Sequence, residues 1–126
     1  MAEEKQFENR VKYWLTTKGI YPAGYPEQKM DVPAVGWFFK VFGGGFQRAG
    51  IPDLILCIRG KFVAVELKAQ NGRASELQHL NIARIADADG DACVLFPSGF
   101  ARFQADIEYM LHTDRPDKAY LAELYK

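Results

Sequence analysis

The segment DLILCIRGKFVAVELK, residues 53–68, constrains this chain more than any other. Two short runs rich in Leu, Ile, Val and Phe flank Arg59-Gly60. A two-residue connection containing glycine between such runs predicts a β-hairpin. With Arg59 and Gly60 as the turn, Ile58 faces Lys61, and stepping outward brings Asp53 opposite Glu66. Side chains alternate along a strand, so Asp53, Ile55 and Cys57 share a face with Phe62, Ala64, Glu66 and Lys68. Leu54, Leu56, Val63, Val65 and Leu67 line the other face. Directly opposed residues have Cβ atoms only about 4.5–5.5 Å apart. Two carboxylates at that separation repel unless one is protonated or a cation lies between them. An all-oxygen pair suits a hard divalent ion, Mg²⁺ or Mn²⁺. Lys68, beside Glu66, can reach a phosphate oxygen or a water on such an ion. The plainer alternative is an acid–lysine salt bridge closing the hairpin, and it leaves Asp53 without a role.

The flanking sequence supplies elements to hold this hairpin. Residues 3–18 place Phe7, Val11, Trp14 and Leu15 at helical spacing, with Gly19 as the stop. Residues 21–36 hold three prolines and two glycines and predict an irregular excursion. WFFKVF (37–42) predicts a strand, broken by the four glycines of GGGFQRAG (43–50). Ser75 opens a helix to about residue 89 with Gly90 as its stop, and Ser75-x-x-Gln78 matches a capping box. ACVLFP (92–97) is a further strand, and 100–113 a helix with Phe103, Ile107, Met110 and Leu111 on its inner face. The last dozen residues add a short helix or fray. The order α-β-β-β-α-β-α predicts an α/β fold, a mixed β-sheet flanked by helices on both faces. At 126 residues, the chain (1–126) is expected to form one domain.

Composition narrows the class. At 48% hydrophobic and 25% charged the chain is that of a globular protein. No apolar run approaches the ~18 residues of a membrane span, and MAEEKQFENR is charged from the start, so a soluble, cytoplasmic protein without a membrane partner is expected. Cys57 and Cys93 sit in apolar runs and read as reduced core thiols. Two cysteines cannot make a zinc site, and neither His79 nor His112 has ligand spacing around it. Net charge is zero but unevenly placed. Residues 40–84 carry three acids against seven bases, and residues 85–126 carry eight acids against four. A solvated surface gives such a split, and so does a local footprint for phosphate. The second reading places DNA against Lys40, Arg48, Arg73 and the glycines at 43–45.

The ordered motifs carry a resemblance. Pro52-Asp53 followed by Glu66-Leu67-Lys68 is similar to the PD-(D/E)XK signature of restriction-endonuclease-like nucleases. Glu8-x-x-Val11, Gly43-Gly44-Gly45, Gly50-Ile51-Pro52-Asp53-Leu54, Val65-Glu66-Leu67-Lys68 and Ser75-Glu76-Leu77-Gln78 together resemble the virus-type replication-repair nuclease (VRR-NUC) branch in its stand-alone phage form. The likeness spans residues 3–97. It implies a restriction-endonuclease-like core in which Asp53, Glu66 and the backbone carbonyl of Leu67 hold Mg²⁺ or Mn²⁺. Lys68 would position or activate the attacking water and offset charge on the phosphate. Gln78 would contact the site from its helix, and Glu8 would be an outer acid near the metal. The implied activity is metal-dependent endonucleolytic cutting of branched DNA by a homodimer resembling Holliday-junction resolvases, leaving 5′-phosphate and 3′-hydroxyl ends, in a bacterial or phage-infected cell. The chain departs from the branch at Leu67, where valine is frequent, and in the 21–36 excursion.

Several residues keep a second reading. Gln78 completes the capping box, or reaches the site, or does each in a different state, and Glu8 is the outer acid or plain helix surface. Gly44 and Gly45 let backbone approach a phosphate or simply turn. They are no nucleotide-cofactor loop, because no Gly-Lys-Ser/Thr follows. Trp37, Phe38 and Phe39 stack on bases or form a core strand, and the core strand is the preferred reading. For the whole chain the rivals are a sequence-specific restriction-like endonuclease and a non-catalytic DNA-binding protein on a degenerate nuclease fold.

Overall fold

Arg59 (φ 49°) and Gly60 (φ 86°) both adopt left-handed backbone conformations, the signature of a two-residue type I′ turn. In the computed structural model, which describes residues 2–42 and 49–112, that turn joins two strands in the register the sequence predicts, from Ile58↔Lys61 out to Leu54↔Val65. They are the centre of a five-stranded sheet: β1 (Ile20–Pro22), β2 (Gly36–Lys40), β3 (Leu54–Ile58), β4 (Lys61–Leu67) and β5 (Asp91–Leu95), ordered β1-β2-β3-β4-β5. The pairs β1–β2 and β4–β5 are parallel and the pairs between them antiparallel, so the sheet is mixed. Among the described residues three α-helices, α1 (Ala2–Thr17), α2 (Glu76–Asp87) and α3 (Phe100–Leu111), flank it, an α/β fold consistent with a restriction-endonuclease-like core.

One strand escapes the sequence reading. The excursion expected over 21–36 begins as β1, three residues long and parallel to β2. Three residues are too few to show a period of two, and Pro22 reads locally as a breaker. Tyr21 is pinned instead by distant partners: its hydroxyl donates to the Val32 carbonyl at 2.7 Å, and its ring stacks on Tyr25 at 4.9 Å.

The core lies on one side of the sheet. Phe38, Leu54, Leu56, Ile58, Val63, Val65 and Leu67 meet Phe7, Val11 and Leu15 of α1 and Phe100, Phe103 and Ile107 of α3. Phe7 meets Phe100 edge to face at 5.7 Å, the favoured geometry of an aromatic pair. The second face is covered less completely. Helix α2 packs over β4 and β5, buries Ala64 beneath it, and has no fully buried residue of its own. Beyond its reach Trp37 is 47% exposed, and Phe39, Phe62 and Cys57 are exposed as well. The preferred sequence reading, a wholly buried aromatic strand and a buried Cys57 thiol, is therefore corrected. Alternation along β2 sends only Phe38 into the core. Trp37 and Phe39 emerge where, among the described residues, no helix lies above them.

Gly44, Gly45 and Arg48, and everything beyond residue 112, lie outside the described residues. Among the described residues no helix is long and apolar enough to cross a membrane.

Candidate active site

The site forms where β3 and β4 end beside one another. Asp53 stands just before β3. Its carbonyl accepts from the Val41 N–H at 2.7 Å, and its Oδ2 accepts from the Leu67 N–H at 2.8 Å. A side-chain oxygen thus continues the ladder where β3 has stopped pairing. In an extended strand the N–H and C=O of one residue point to the same side, so the Leu67 carbonyl is turned toward Asp53 too.

Glu66 sits across from Asp53 and is only 2% exposed. Its Oε2 accepts from Gln78 Nε2 at 2.8 Å and lies 3.3 Å from the Lys68 ammonium. Its Oε1 is buried and has no hydrogen-bond partner among the described residues. Burial, and then the charge of Asp53, push the Glu66 carboxyl up to about 7 despite the attraction of Lys68. A buried carboxylate in this condition takes up either a proton or a cation. The orphaned oxygen, the adjacent Asp53 carboxylate and the Leu67 carbonyl form an all-oxygen donor set, which fits a hard divalent ion. Among the described residues no group of three or more His, Cys, Asp or Glu side chains is placed to hold a metal, so Asp53 and Glu66 stand as a pair.

Gln78 resolves its two readings by satisfying both. The capping box is complete: Ser75 Oγ accepts from the Gln78 N–H at 3.1 Å, and Gln78 Oε1 accepts from the Ser75 N–H at 2.7 Å. With its oxygen committed to the cap, the amide nitrogen is left to donate to Glu66. One side chain therefore starts α2 and orients an acid of the site.

Sequence reasoning missed a second link from the same helix. Asn81 Nδ2 donates to the Gly50 carbonyl at 2.9 Å. Gly50 has φ +83°, and a Cβ there would lie 2.7 Å from Leu77 Cγ. The chain entering Asp53 is thereby pressed against α2, where only glycine combines that backbone with that proximity. The available signal was Asn81 itself, three residues after Gln78 and so on the same helix face.

The remaining candidates make no contact with Asp53 or Glu66 among the hydrogen bonds and ion pairs of the described residues. Glu8 is buried in α1, where it meets Lys5, Lys12 and Lys40, and it is not brought into one ligand group with Asp53 and Glu66. Burial would raise its carboxyl, but the ammoniums of Lys40, Lys12 and Lys5 overcome that and hold it at about 2. Lys40 ends β2, and its ammonium turns to Glu8. Arg73 is exposed in the loop before α2.

The comparisons with known proteins bear on this same segment. No curated protein and no solved structure matches the chain at a significant level. A family model described as the VRR-NUC domain matches residues 43–96. That stretch contains the hairpin, Asp53, Glu66, Lys68 and Gln78, whereas Glu8 lies before it. In that segment, with its paired acids and adjoining lysine, the chain is similar to the VRR-NUC domain, a nuclease domain of the PD-(D/E)XK type.

Proposed function

We propose that the protein is a metal-dependent DNA endonuclease that cuts branched DNA as a homodimer. The observation that carries this reading is buried Glu66 set against half-buried Asp53, with one orphaned oxygen and the Lys68 ammonium alongside. Asp53, Glu66 and the Leu67 carbonyl would hold Mg²⁺ or Mn²⁺. When bound, such an ion polarises a phosphoryl oxygen and makes water acidic enough to act as a nucleophile. The protein's own residues do the rest. Gln78 holds Glu66 in one orientation, and Asp53 is steadied by the Leu67 N–H. Lys68 presents a positive charge where charge grows on the phosphoryl oxygens, an interaction worth most in the transition state. Exposed Arg73, together with Lys40, Arg48 and the Gly44-Gly45 loop, would contact phosphates of the flanking DNA.

Residues 1–126 are read as one domain, because α1 and α3 share a core with the matched segment. The homodimer is supported by the exposed apolar patch of Trp37, Phe39 and Phe62, the kind of surface a second copy covers. Two copies bring two sites, which suits paired nicks in a branched substrate in the cytoplasm of a bacterial or phage-infected cell.

A labelled four-way junction and a linear duplex of the same sequence, incubated with Mg²⁺, Ca²⁺ or EDTA, test the reading. Nicks in the junction with Mg²⁺ alone, leaving 5′-phosphates, support it. Cleavage of the duplex at one sequence would favour a restriction-like enzyme. Binding without cleavage under every condition would favour a degenerate nuclease fold.

A further inference from the structure

Glu8 has more partners than a buried carboxylate needs. At 4% exposed in α1, it accepts from Lys5 Nζ and Lys12 Nζ on Oε2, at 3.1 and 3.0 Å, and from Lys40 Nζ on Oε1. One salt-bridge partner would neutralise it. Three ammoniums on one carboxylate leave two positive charges uncompensated within the cluster. Lys12 and Lys40 keep only 31% and 23% of their side-chain surface exposed, so these are partly desolvated charges, not loose surface lysines. Like charges gathered this closely repel, and such an excess is relieved by an anion.

The location says which anion. Lys40 is the last residue of β2 and pairs with Leu54, and the next residue, Val41, donates its N–H to the Asp53 carbonyl. The cluster therefore stands one backbone step from Asp53, at the same end of the sheet as the paired acids. Its side chains reach the α1 face, along with Phe38, whereas Glu66 lies toward α2. A polyanionic strand crossing that end of the sheet would meet both, with one phosphate at Asp53 and Glu66 and another at the lysines.

We propose that Lys5, Lys12 and Lys40 form a subsite for a DNA phosphate flanking the scissile one, and that Glu8 is its positioning residue, gathering the three ammoniums onto one point. This rests on the nuclease reading for its substrate but not for its geometry. It gives Glu8 a different task from that of an outer acid of the metal site. It also brings in Lys5 and Lys12, which lie outside the segment matched by the family model.

The test is direct binding of the full-length protein to a fluorescein-labelled four-way junction in Ca²⁺, with Kd followed as salt is raised. Removing one lysine–phosphate interaction should flatten the slope of log K against log salt by about 1. Lys12→Gln and Lys40→Gln should each do so, and the double variant should flatten it by about 2. In cleavage assays with Mg²⁺ the effect of these substitutions should fall mainly on KM. Glu8→Gln should weaken junction binding as well, while Mn²⁺ titrated into the DNA-free protein binds as tightly as it does to wild type. Unchanged slopes in both lysine variants would overturn the subsite even if Glu8→Gln failed to fold. Loss of Mn²⁺ binding in a folded Glu8→Gln protein, with an unchanged slope, would overturn the positioning role and return Glu8 to the metal site. Absence of cleavage by wild type, with the slopes altered as expected, would count against the nuclease reading and leave the subsite standing.

Discussion

Replacing Glu66 by Gln should stabilise the metal-free protein, and by an amount that depends on pH. Glu66 is buried beside Asp53 with one oxygen unpartnered, and its carboxyl is pushed from an ordinary value of 4.5 up to about 7. A raised carboxyl binds its proton more tightly in the folded state than in the unfolded one. Below pH 4.5 both states are protonated and the site costs nothing. Between 4.5 and 7 the unfolded chain releases its proton first, so stability falls as pH rises. Above 7 the full penalty is present. A gap of 2.5 pH units corresponds to about 3 kcal/mol. Gln keeps the shape, still offers an oxygen to Gln78 and Lys68, and turns its amide toward Asp53 without a charge.

In EDTA, then, Glu66→Gln should melt near wild type at pH 4 and roughly 10 °C above it at pH 8, since 1 kcal/mol moves the midpoint of a chain this size by several degrees. Urea melts across that range would track the difference, in which titrations common to both proteins cancel. Saturating Mg²⁺ at pH 8 should raise the wild type and leave the variant in place, narrowing the gap, because only the wild type offers the charged pair to the ion. A gap that stays flat from pH 4 to 8, or a variant less stable than wild type at pH 8, would refute the account of Glu66 as an uncompensated buried acid.

Four further outcomes follow from the same geometry. Asp53→Asn should abolish cleavage of a four-way junction while leaving its Ca²⁺-supported binding intact, as filter binding and gel assays would show. Lys68→Ala should lower kcat by ~10²-fold or more with little change in Kd, measured in single turnover, as for a missing transition-state charge. Ser75→Ala and Gln78→Ala should each cost about 1 kcal/mol in urea melts by removing the cap, but only Gln78→Ala should also depress kcat, because only Gln78 touches Glu66. Trp37→Glu should leave the circular dichroism spectrum unchanged and shift the protein to a monomer in sedimentation equilibrium, if the exposed patch of β2 is where a second copy docks.

What the sequence could reveal follows from how local the deciding physics is. The hairpin was legible because its turn chemistry and its alternation lie within 16 consecutive residues, 53–68, and together they set the Asp53–Glu66 register. The cap of α2 was legible for the same reason. The state of WFF was not. Alternation says that Trp37 and Phe39 share a face and Phe38 takes the other, yet which face is covered depends on where α2 lands, and α2 begins at Glu76. The lysines around Glu8 were half legible: Lys5 and Lys12 are one helical turn away, but Lys40 arrives from 32 residues further on, carried there by the β2–β3 pairing.

Gln78 shows a different kind of limit. Cap and site looked like alternatives only while the side chain was counted as one contact. An amide has an acceptor end and a donor end, and at the start of α2 the first serves Ser75 while the second serves Glu66. The same helix presses Leu77 and Asn81 against Gly50, so the approach to Asp53 is set by α2 as well. Both acids of the pair are thus referenced to a single element, on the less covered face of the sheet. The hairpin sets their register, and the start of this one helix orients Glu66 and fixes the chain that leads into Asp53.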